Sequence, residues 1–321
     1  MTAPTVPTFL VAGAGRSGTT GLVEGLRTHP QVFVTQPKEP HYFALHGQPA
    51  VFAGPGDAAT INRVAVTDTD SYLGLFPTEH DGLALGDGSV STLYYAERAV
   101  DEIRRINPEM RVVLILREPV ERAYSSYLYM RARGFEPCED PLEALADEPR
   151  RRADNWHHLW HYEVMSHYSA DVATLQQGLG REQVGVWFHD DLVADYAGTV
   201  SSVLRFLDLP ADPGEGVGVP RVNVSGTPRL PLVQRTIVAA TRNELLRRTV
   251  KRTTSFRFRE RVRRSSLRPS SVPSQVRDHF DGVFSADLAK LGSLVSGGGK
   301  VPEWLPRVPP SSSEDVPSGR I

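Results

Sequence analysis

The stretch FLVAGAGRSGTTGLVEGLRTHPQVFV, residues Phe9 to Val34, decides the fold of this chain. The apolar run Phe9–Ala12 predicts a short buried strand, and apolar residues at helical spacing predict a helix over Thr19–Thr28. A second strand is predicted over Val32–Val34. A strand, a helix and a strand in one short stretch are typical of a βαβ unit, so a parallel sheet is expected.

Further strands and helices alternate along the rest of the chain. The strongest strand is Arg111–Leu116, whose residues after the arginine are all apolar, so it is expected to be buried on both faces. Another strand is predicted over Val184–Phe188, and amphipathic segments predict helices over Ala96–Ile106, Val120–Arg133 and Val200–Leu207. This alternation predicts an α/β fold in which helices flank a central parallel sheet.

The chain contains no internal repeat and no linker that would divide it. One domain is therefore predicted over residues 5–308, with an excursion from the core at Gly47–Asp81, which is rich in Gly, Pro, Asp and Thr. The tail Pro309–Ile321, residues 309–321, is rich in Pro and Ser and is predicted to be disordered.

The overall composition excludes several classes of function. With 36 basic against 38 acidic residues the formal net charge is −2, so nothing draws the chain as a whole toward nucleic acid. The single cysteine, Cys138, excludes an intrachain disulfide and a four-cysteine zinc site. No segment approaches the roughly 18 apolar residues that a membrane span needs, and the N-terminus lacks the basic region of a signal peptide. A cytoplasmic location is expected.

Three templates compete for the loop GAGRSGTT, Gly13–Thr20, between the first strand and its helix. The loop matches G-x-G-x-x-G, the dinucleotide fingerprint, which favours an NAD-linked oxidoreductase. That fold also needs an acidic residue at the end of the second strand, where this chain has Thr35 and Gln36 and no carboxylate before Glu39. The phosphate loop of nucleoside triphosphatases fits as well, except that Thr19 stands where its lysine should be.

The third template keeps the geometry of a phosphate loop but binds a different anion. Backbone N–H groups from Gly15 to Thr20, at the start of a helix, can cradle an anion. Arg16 and the hydroxyls of Ser17, Thr19 and Thr20 complete the cradle. One cation with three hydroxyls, and no lysine with magnesium, suits a phosphosulfate better than a triphosphate. An ordinary glycine-rich turn is the alternative.

A second anion site is predicted where the strongest strand ends. Arg117 lies at its carboxyl end, the edge of a parallel sheet where ligands bind. Ser125 follows about two helical turns later on the next helix, so the two side chains can form a phosphate clamp. Otherwise Arg117 only decorates the start of a helix and Ser125 is a solvated hydroxyl.

These segments resemble the sulfotransferases that use 3′-phosphoadenosine 5′-phosphosulfate (PAPS), particularly bacterial members similar to heparan sulfate sulfotransferases. The resemblance runs from about Phe9 to Leu305, nearly the whole chain, and its most specific pieces are GAGRSGTTGL and INPEMRVVLILREPVERAYSSYLYM. The matching pieces are GAGRSGTTGL, PKEPHYFA, INPEMRVVLILREPVERAYSSYLYM, WFHDDLVADYAGTVSSVLRFLDLP, VNVSGTPR and ADLAKLGSLVSGGGKVPEWL.

The resemblance implies a three-layer, P-loop-NTPase-like α/β fold and a site for PAPS as sulfuryl donor, with adenosine 3′,5′-bisphosphate as product. It implies that Arg16 and the loop bind the 5′-phosphosulfate, and that Arg117 with Ser125 binds the 3′-phosphate. Asn223 and Ser225 fall in a segment that often approaches the nucleotide. The donor-binding residues predicted in this way are Gly15, Arg16, Ser17, Gly18, Thr19, Thr20, Arg117, Ser125, Asn223 and Ser225.

The same resemblance locates the general base just after the second strand, in PKEPHYFA. Glu39 matches the glutamate that is the base in sulfotransferases of the heparan type, and His41 is the second candidate because another branch of the superfamily uses histidine. Lys38 can assist at the leaving oxygen or bind the acceptor, and Arg16 completes the predicted catalytic set. No metal is expected, because the loop and Arg16 can stabilise the leaving nucleotide. Alternatively, Glu39 is a surface carboxylate and His41 packs on its aromatic neighbours.

One departure from the family concerns a lysine. Related sequences often carry it in a Gly-Glu-Lys-Ser/Thr-Pro segment, whereas this chain has the run Gly86–Val90 with Gly88 at the lysine position. Relief of charge is therefore expected from Arg16 or Lys38, or the acceptor differs from a polysaccharide.

Two further segments are unusual in composition. Trp156–Tyr162 contains three histidines, of which His157 and His161 are four residues apart and could bind zinc. An aromatic wall of an acceptor pocket, or core packing, accounts for this segment better, since no acidic residue completes a zinc spacing. The run Arg242–Arg264 holds ten basic residues against two acidic ones and is either a solvated face or an attraction for an anionic acceptor or a membrane surface.

The predicted partner is a hydroxyl-bearing acceptor, such as a sugar, a glycolipid or a phenol, and no nucleic acid is expected. A non-catalytic nucleotide- or lipid-binding protein that uses the basic run is the third hypothesis, beside the sulfotransferase and the oxidoreductase. The oligomeric state is not predicted.

Overall fold

The computed structural model describes residues 5–79, 82–211, 271–295 and 300–306, together with the backbone of two short strands. Five parallel strands form one sheet in the order β2-β3-β1-β4-β5, and β6 pairs with β7 in antiparallel fashion. The strands are β1 (Phe9–Gly13), β2 (Val32–Val34), β3 (Ala84–Asp87), β4 (Arg111–Leu116), β5 (Val184–Phe188), β6 (Gly226–Pro228) and β7 (Leu267–Pro269).

Helices connect the strands and cover the sheet. In the described part of the chain they are α1 (Thr19–Leu26), α2 (Tyr42–Leu45), α3 (Ile61–Val64), α4 (Thr69–Leu73), α5 (Ser91–Tyr94), α6 (Ala96–Ile106), α7 (Pro119–Ala132), α8 (Pro141–Ala146), α9 (Glu148–Ala153), α10 (Ser169–Leu179), α11 (His189–Ala194), α12 (Tyr196–Phe206), α13 (Ser274–His279) and α14 (Ser285–Leu294). None of these helices is both long and apolar enough to cross a bilayer.

The core has two halves because side chains alternate across each strand. Leu10 of β1 and Leu114 of β4 lie in one buried cluster with residues of α6 and α10. Phe9 and Val113, one residue before each of these, lie in a second cluster with residues of α1 and α12. The sheet is therefore sandwiched between two helical layers, and the predicted three-layer α/β fold is confirmed.

The βαβ unit predicted at the start of the chain is present, but a third strand is inserted in it. β3 pairs in parallel with both β1 and β2, so these two strands share a sheet without being neighbours. The segment Gly47–Asp81, predicted as an excursion, contributes two short helices, α3 and α4. The basic run Arg242–Arg264 and the tail 309–321 lie outside the described residues.

The strand order locates a crevice. The connection after β1 runs through α1 toward β2, whereas the connection after β4 runs toward β5 on the opposite side. Neighbouring parallel strands whose connections diverge leave an opening at their carboxyl ends, which is where open α/β sheets bind ligands. The opening here lies between β1 and β4, which pair in parallel.

Candidate active site

The glycine-rich loop fills one side of this crevice. Ala14 donates its backbone N–H to the carbonyl of Ile115 in β4 (2.7 Å), which fixes the loop to the neighbouring strand. Gly18 has φ +98° and precedes α1, and a Cβ atom there would lie 2.9 Å from Leu192 Cδ1. His189 Nδ1 lies 3.1 Å from the carbonyl of Ser17. Glycine is therefore the residue that fits position 18 without strain, and contacts from β4 and from α11 hold the loop in place.

The N-terminus of α1 is open to an anion in a way that the N-terminus of α7 is not. Glu118 caps α7, because its carboxylate accepts the N–H groups of Val120 (3.1 Å) and Glu121 (2.8 Å). In contrast, α1 has no side-chain cap among the described residues and no acidic residue in its first turn. An uncapped helix N-terminus after a glycine-rich loop favours a bound anion. One predicted donor is already used, since the N–H of Ser17 donates to Ala14 O (3.3 Å).

Ser17 provides a direct test of whether an anion fits. Its side chain is fully buried, and its hydroxyl has no hydrogen-bond partner among the residues that the structure describes. Buried hydroxyls are nearly always paired in native proteins. An oxygen of a phosphosulfate bound in the loop would supply the missing partner.

Arg117 points toward this loop. Its Nη1 lies 3.4 Å from the carbonyl oxygen of Arg16, and its Nη2 lies 2.9 Å from Glu121 Oε2. The backbone of Arg117 is held in turn, because Tyr168 donates its hydroxyl to the Arg117 carbonyl (2.9 Å). The two anion sites predicted separately from the sequence therefore share one crevice.

The side chain of Arg16 joins the two sites. Arg16 has φ +73°, and its Nε lies 3.4 Å from Ser125 Oγ on α7. Its guanidinium also stacks on Tyr129, 4.5 Å from the ring centre. The cation predicted for the 5′-phosphosulfate thus contacts the serine predicted for the 3′-phosphate, and both assignments stay predictions.

The base candidates lie at the ends of β2 and β3. Lys38 Nζ donates to Glu39 Oε1 (2.6 Å) and to the Gly88 carbonyl (3.0 Å). Burial alone would raise the pKa of Glu39, but the charge and hydrogen bond of Lys38, with the charge of Arg16, hold it below its usual value. Glu39 is therefore an ionised carboxylate at neutral pH, able to accept a proton.

Gly88 leaves room for the side chain of Lys38. A Cβ atom on Gly88 would lie 3.0 Å from Lys38 Cγ and 3.1 Å from Lys38 Cε, closer than carbon atoms normally approach. The Gly88 N–H also donates to the Lys38 carbonyl (3.1 Å). At the position where the resemblance implies a lysine, this chain therefore has a glycine covered by the stem of Lys38.

His41 is the more buried of the two base candidates. It has φ +60° and is 7% exposed, its N–H donates to Ser89 Oγ (2.9 Å), and its Nδ1 lies 2.9 Å from Ser91 Oγ. Burial, assisted by the charge of Lys38, lowers its pKa despite the opposing effect of Glu39. His41 is thus a neutral imidazole at neutral pH.

Comparison with known proteins identifies the family. A model of the sulfotransferase family matches residues 7–213, more than half of the chain. The chain belongs to the sulfotransferase family. The resemblance noted in the sequence is thereby confirmed at the level of the family.

Individual relatives of this chain are distant. It is similar to human carbohydrate sulfotransferase 15, with 30% identity over 158 residues, which cover 39% of this chain and 27% of that one. It is also similar to mouse heparan sulfate glucosamine 3-O-sulfotransferase 6, with 26% identity over 218 residues that cover 63% and 52% of the two chains. The chain thus spans about a quarter to a half of the length of these curated relatives.

A solved structure matches over most of its length. The crystal structure of a sulfotransferase from Alicyclobacillus acidocaldarius superimposes with a TM-score of 0.69 at 25% identity, covering 90% of this chain and 95% of that one. Because the match covers nine-tenths of this chain, it concerns the fold as a whole and not the loop alone.

The histidines considered for zinc are not arranged around a common point as ligands of one metal ion would be. His157 lies before a single 3₁₀ turn, His158–Trp160, and its Nε2 is 3.4 Å from Asp57 Oδ1. His161 Nδ1 lies 2.8 Å from the hydroxyl of Tyr94. Within the described ranges no group of three His, Cys, Asp or Glu side chains is arranged to hold a metal ion.

Some predicted residues cannot be located, and others were missed. Asn223 and Ser225 lie outside the described residues. His189, which contacts the loop at Ser17, was given no role in the sequence analysis although it directly follows β5. The rule that located Arg117, the carboxyl end of a parallel strand, could have found His189 as well.

Proposed function

We propose that this sulfotransferase moves the sulfuryl group of PAPS to a hydroxyl group of a carbohydrate, glycolipid or other small acceptor. One observation carries the proposal: the Arg117 guanidinium points at the glycine-rich loop, 3.4 Å from the Arg16 carbonyl, so two anion sites share one crevice. PAPS carries a 3′-phosphate and a 5′-phosphosulfate on one adenosine. A crevice with two anion sites suits such a donor better than it suits a nucleotide charged at one end.

The loop is assigned to the 5′ end of the donor. Its support is the uncapped start of α1 and the unpaired, buried hydroxyl of Ser17 among the described residues. The 3′-phosphate is assigned to Arg117, in the connection between β4 and α7, and to Ser125, on α7. A guanidinium and a hydroxyl give a phosphate charge-assisted hydrogen bonds.

In the proposed reaction the acceptor hydroxyl attacks the sulfur. A new S–O bond forms to the acceptor, the S–O bond to the 5′-phosphate breaks, and its electron pair leaves with adenosine 3′,5′-bisphosphate. The hydroxyl proton passes to Glu39, which is ionised at neutral pH because neighbouring cations lower its pKa. The protein contributes positioning and charge stabilisation to such a displacement.

Lys38 is assigned two tasks. Its ammonium group orients Glu39 through the 2.6 Å contact with Oε1. It also brings a positive charge to the ends of β2 and β3, where related sequences carry the lysine that Gly88 replaces. His41 is the alternative base, and its neutral imidazole is compatible with accepting a proton.

The oxidoreductase hypothesis has less support. After β2 the chain continues as Thr35, Gln36 and Pro37, so the carboxylate that would bind the ribose of NAD is missing. Family membership also favours sulfuryl transfer.

Calorimetry with three nucleotides tests the proposal. We expect adenosine 3′,5′-bisphosphate to bind with micromolar affinity or better, and NAD and ATP to bind at least roughly tenfold more weakly, because only the bisphosphate occupies both anion sites. Transfer of label from ³⁵S-PAPS to a pool of sugars, glycolipids and phenols would then establish the reaction. Equal affinity for NAD and the bisphosphate would overturn the proposal that the crevice binds PAPS.

A further inference from the structure

A fully buried arginine contacts the glycine-rich loop. Arg122, on α7, has no side-chain surface open to solvent, and its Nη1 lies 3.4 Å from the carbonyl oxygen of Gly15. It follows Arg117 by five residues in the sequence. The reaction described above gives Arg122 no role, so its burial against the loop requires an explanation.

The hydrogen bonds of Arg122 all go to neutral groups. Its Nε donates to Ser166 Oγ (2.6 Å), its Nη2 donates to the Tyr162 carbonyl (2.6 Å), and its Nη1 lies 3.3 Å from Ser126 Oγ. These contacts satisfy most of the guanidinium N–H groups but supply no negative charge. Among the residues that the structure describes, no carboxylate oxygen lies within 4.0 Å of the guanidinium.

Arg151 shows how the same chain buries an arginine elsewhere. Arg122 and Arg151 are the two arginines that the described part of the chain buries completely. Arg151 donates to both carboxylate oxygens of Glu136 (2.7 and 2.9 Å) and to Asp147 (2.9 Å). Carboxylates thus balance the charge of Arg151, as is usual for a charge in a protein interior. Arg122 has no such counterion among the described residues.

The surrounding charges leave Arg122 positive. Burial is the main cause that lowers the pKa of its guanidinium, and the charge of Arg117 lowers this pKa further, whereas Tyr168 and Glu148 oppose the shift. The Glu148 carboxylate is engaged elsewhere, since it accepts two backbone N–H groups, at 2.7 and 3.0 Å. An arginine side chain is not deprotonated in proteins. Arg122 is therefore a buried cation on which a second cation, Arg117, acts unfavourably.

A buried cation without a counterion is unfavourable, because it has left water without gaining a negative charge. An anion that binds nearby relieves this cost, and the attraction between the two charges is only weakly screened in an interior. The loop that Arg122 contacts at Gly15 is the one that carries the marks of an anion site. Within the described residues, the N-terminus of α1 has no side-chain cap and the buried hydroxyl of Ser17 has no partner.

We propose that Arg122 is a positioning residue for the 5′-phosphosulfate of the donor, and that this anion balances its buried charge. Arg122 acts through its bond to the Gly15 carbonyl and through its charge, without touching the donor. This inference rests on the proposed binding of PAPS and adds to that site a cation that no solvent screens.

Two variants separate the charge of Arg122 from its hydrogen bonds. Arg122→Gln removes the charge but keeps an amide that can donate, whereas Arg122→Lys keeps the charge with fewer donors. We expect Arg122→Gln to lower the affinity for adenosine 3′,5′-bisphosphate about tenfold, and Arg122→Lys about twofold or less. Titration calorimetry on the full-length protein measures both. Arg131→Gln, on the same helix and 3.6 Å from Glu139, is the matched control and should bind like the wild type.

Nucleoside monophosphates locate the effect of Arg122 within the crevice. Adenosine 5′-monophosphate can occupy only the loop, and adenosine 3′-monophosphate only the site assigned to Arg117. Arg122→Gln should weaken binding of the 5′-monophosphate about tenfold and that of the 3′-monophosphate less than about threefold. Equal losses for the two monophosphates would mean that Arg122 supports the crevice as a whole, and would overturn the inference.

Thermal unfolding without nucleotide provides a readout that separates the charge from a structural role. Arg122→Lys still buries a charge and has fewer hydrogen bonds, so its Tm should be no higher than that of Arg122→Gln. The order of Tm should therefore be the reverse of the order of bisphosphate affinity. If Arg122→Gln binds as well as Arg122→Lys, or if neither variant folds, Arg122 only links Gly15 to Tyr162–Ser166 and the inference is overturned.

The wild type distinguishes this inference from the proposed function. A wild-type protein that does not bind adenosine 3′,5′-bisphosphate would overturn the proposed function itself. A wild type that binds the bisphosphate, beside a folded Arg122→Gln with undiminished affinity, would overturn only the role given to Arg122.

Discussion

Arg16 Nε lies 3.4 Å from Ser125 Oγ, so the cation of the glycine-rich loop contacts the helix that follows β4. The contact joins residues 109 positions apart in sequence. It is possible because β1 and β4 are parallel neighbours whose carboxyl ends meet at the same edge of the sheet. One consequence is that substitutions on either side of the crevice should affect binding of the same ligand.

Arg117→Ala should remove selectivity for the 3′-phosphate. We expect affinity for adenosine 3′,5′-bisphosphate to fall roughly 10- to 100-fold, since a charge-assisted hydrogen bond contributes about 1.5–3 kcal/mol. Affinity for adenosine 5′-monophosphate, which lacks that phosphate, should stay the same. Titration calorimetry measures both, with Arg104→Ala on the exposed side of α6 as the control. An equal loss for both nucleotides would show that Arg117 supports the loop and does not bind the 3′-phosphate.

Glu39→Gln should separate binding from chemistry. We expect turnover to fall about 10²- to 10⁴-fold while bisphosphate affinity is retained, because a general base acts only in the transfer step. The base must be deprotonated to accept a proton. Because the pKa of Glu39 is lowered, protonation of Glu39 should reduce wild-type turnover only below about pH 4.3, the usual glutamate value. Steady-state rates between pH 4 and 8 measure this.

Glu109→Gln, at an exposed position before β4, is the matched control for that substitution. Undiminished turnover in Glu39→Gln would identify His41 or another group as the base. His41→Asn, measured beside it, would then be the variant that loses activity.

Much of the fold was predictable because its signals are local. The glycine-rich turn between β1 and α1 and the apolar run of β4 each follow from a short window of sequence, and both are where they were predicted. β3 was not predicted as a strand, because Ala84–Asp87 is short and ends in two residues with low strand preference. It is a strand because β1 and β2 pair with it on both sides, which no local pattern contains.

The candidate site was likewise predictable from the sequence only in part. The resemblance implied that Arg117 and the loop bind the two ends of one donor, and the structure brings them together. The contact between Lys38 and Gly88 joins residues 50 positions apart and depends on how two loops cross. The missing lysine at Gly88 is visible in the sequence, whereas the position of the Lys38 side chain over Gly88 is visible only in the structure.

Gly88→Ala should therefore displace Lys38. A Cβ at 3.0 Å from Lys38 Cγ and 3.2 Å from the Lys38 carbonyl oxygen requires Lys38 to shift by a few tenths of an ångström. We expect kcat to fall about tenfold with unchanged bisphosphate affinity, because Glu39 loses the ammonium group that orients it. Lys38→Met should have a similar effect.

The double variant Gly88→Ala/Lys38→Met completes the cycle. If both substitutions act through the same ammonium group, the double variant should be no slower than either single one. Multiplied losses in kcat would show that Gly88 matters for another reason, such as the backbone bond to the Lys38 carbonyl.

Asp87 gives a pH-dependent stability that can be measured without an activity assay. It is fully buried at the end of β3, where it accepts the Ser89 N–H (2.7 Å) and the Tyr72 hydroxyl (3.1 Å). Burial raises its pKa to about 6, so the folded protein keeps this proton to a higher pH than the unfolded chain does. The stability that this proton contributes is complete below the unfolded pKa, about 3.9, and is lost as the pH rises through about 6.

Asp87→Asn removes this titration while keeping a similar shape. We expect the free energy of unfolding of the variant, relative to the wild type, to rise by roughly 1–3 kcal/mol between pH 4 and pH 7, because only the wild type must bury a charge at the higher pH. Urea denaturation at pH 4, 5.5 and 7 measures the difference. Asp101→Asn, on the exposed side of α6, is the matched control. A constant difference for Asp87→Asn would mean that Asp87 is already ionised at pH 4 in the folded protein, and that its hydrogen bonds outweigh its burial.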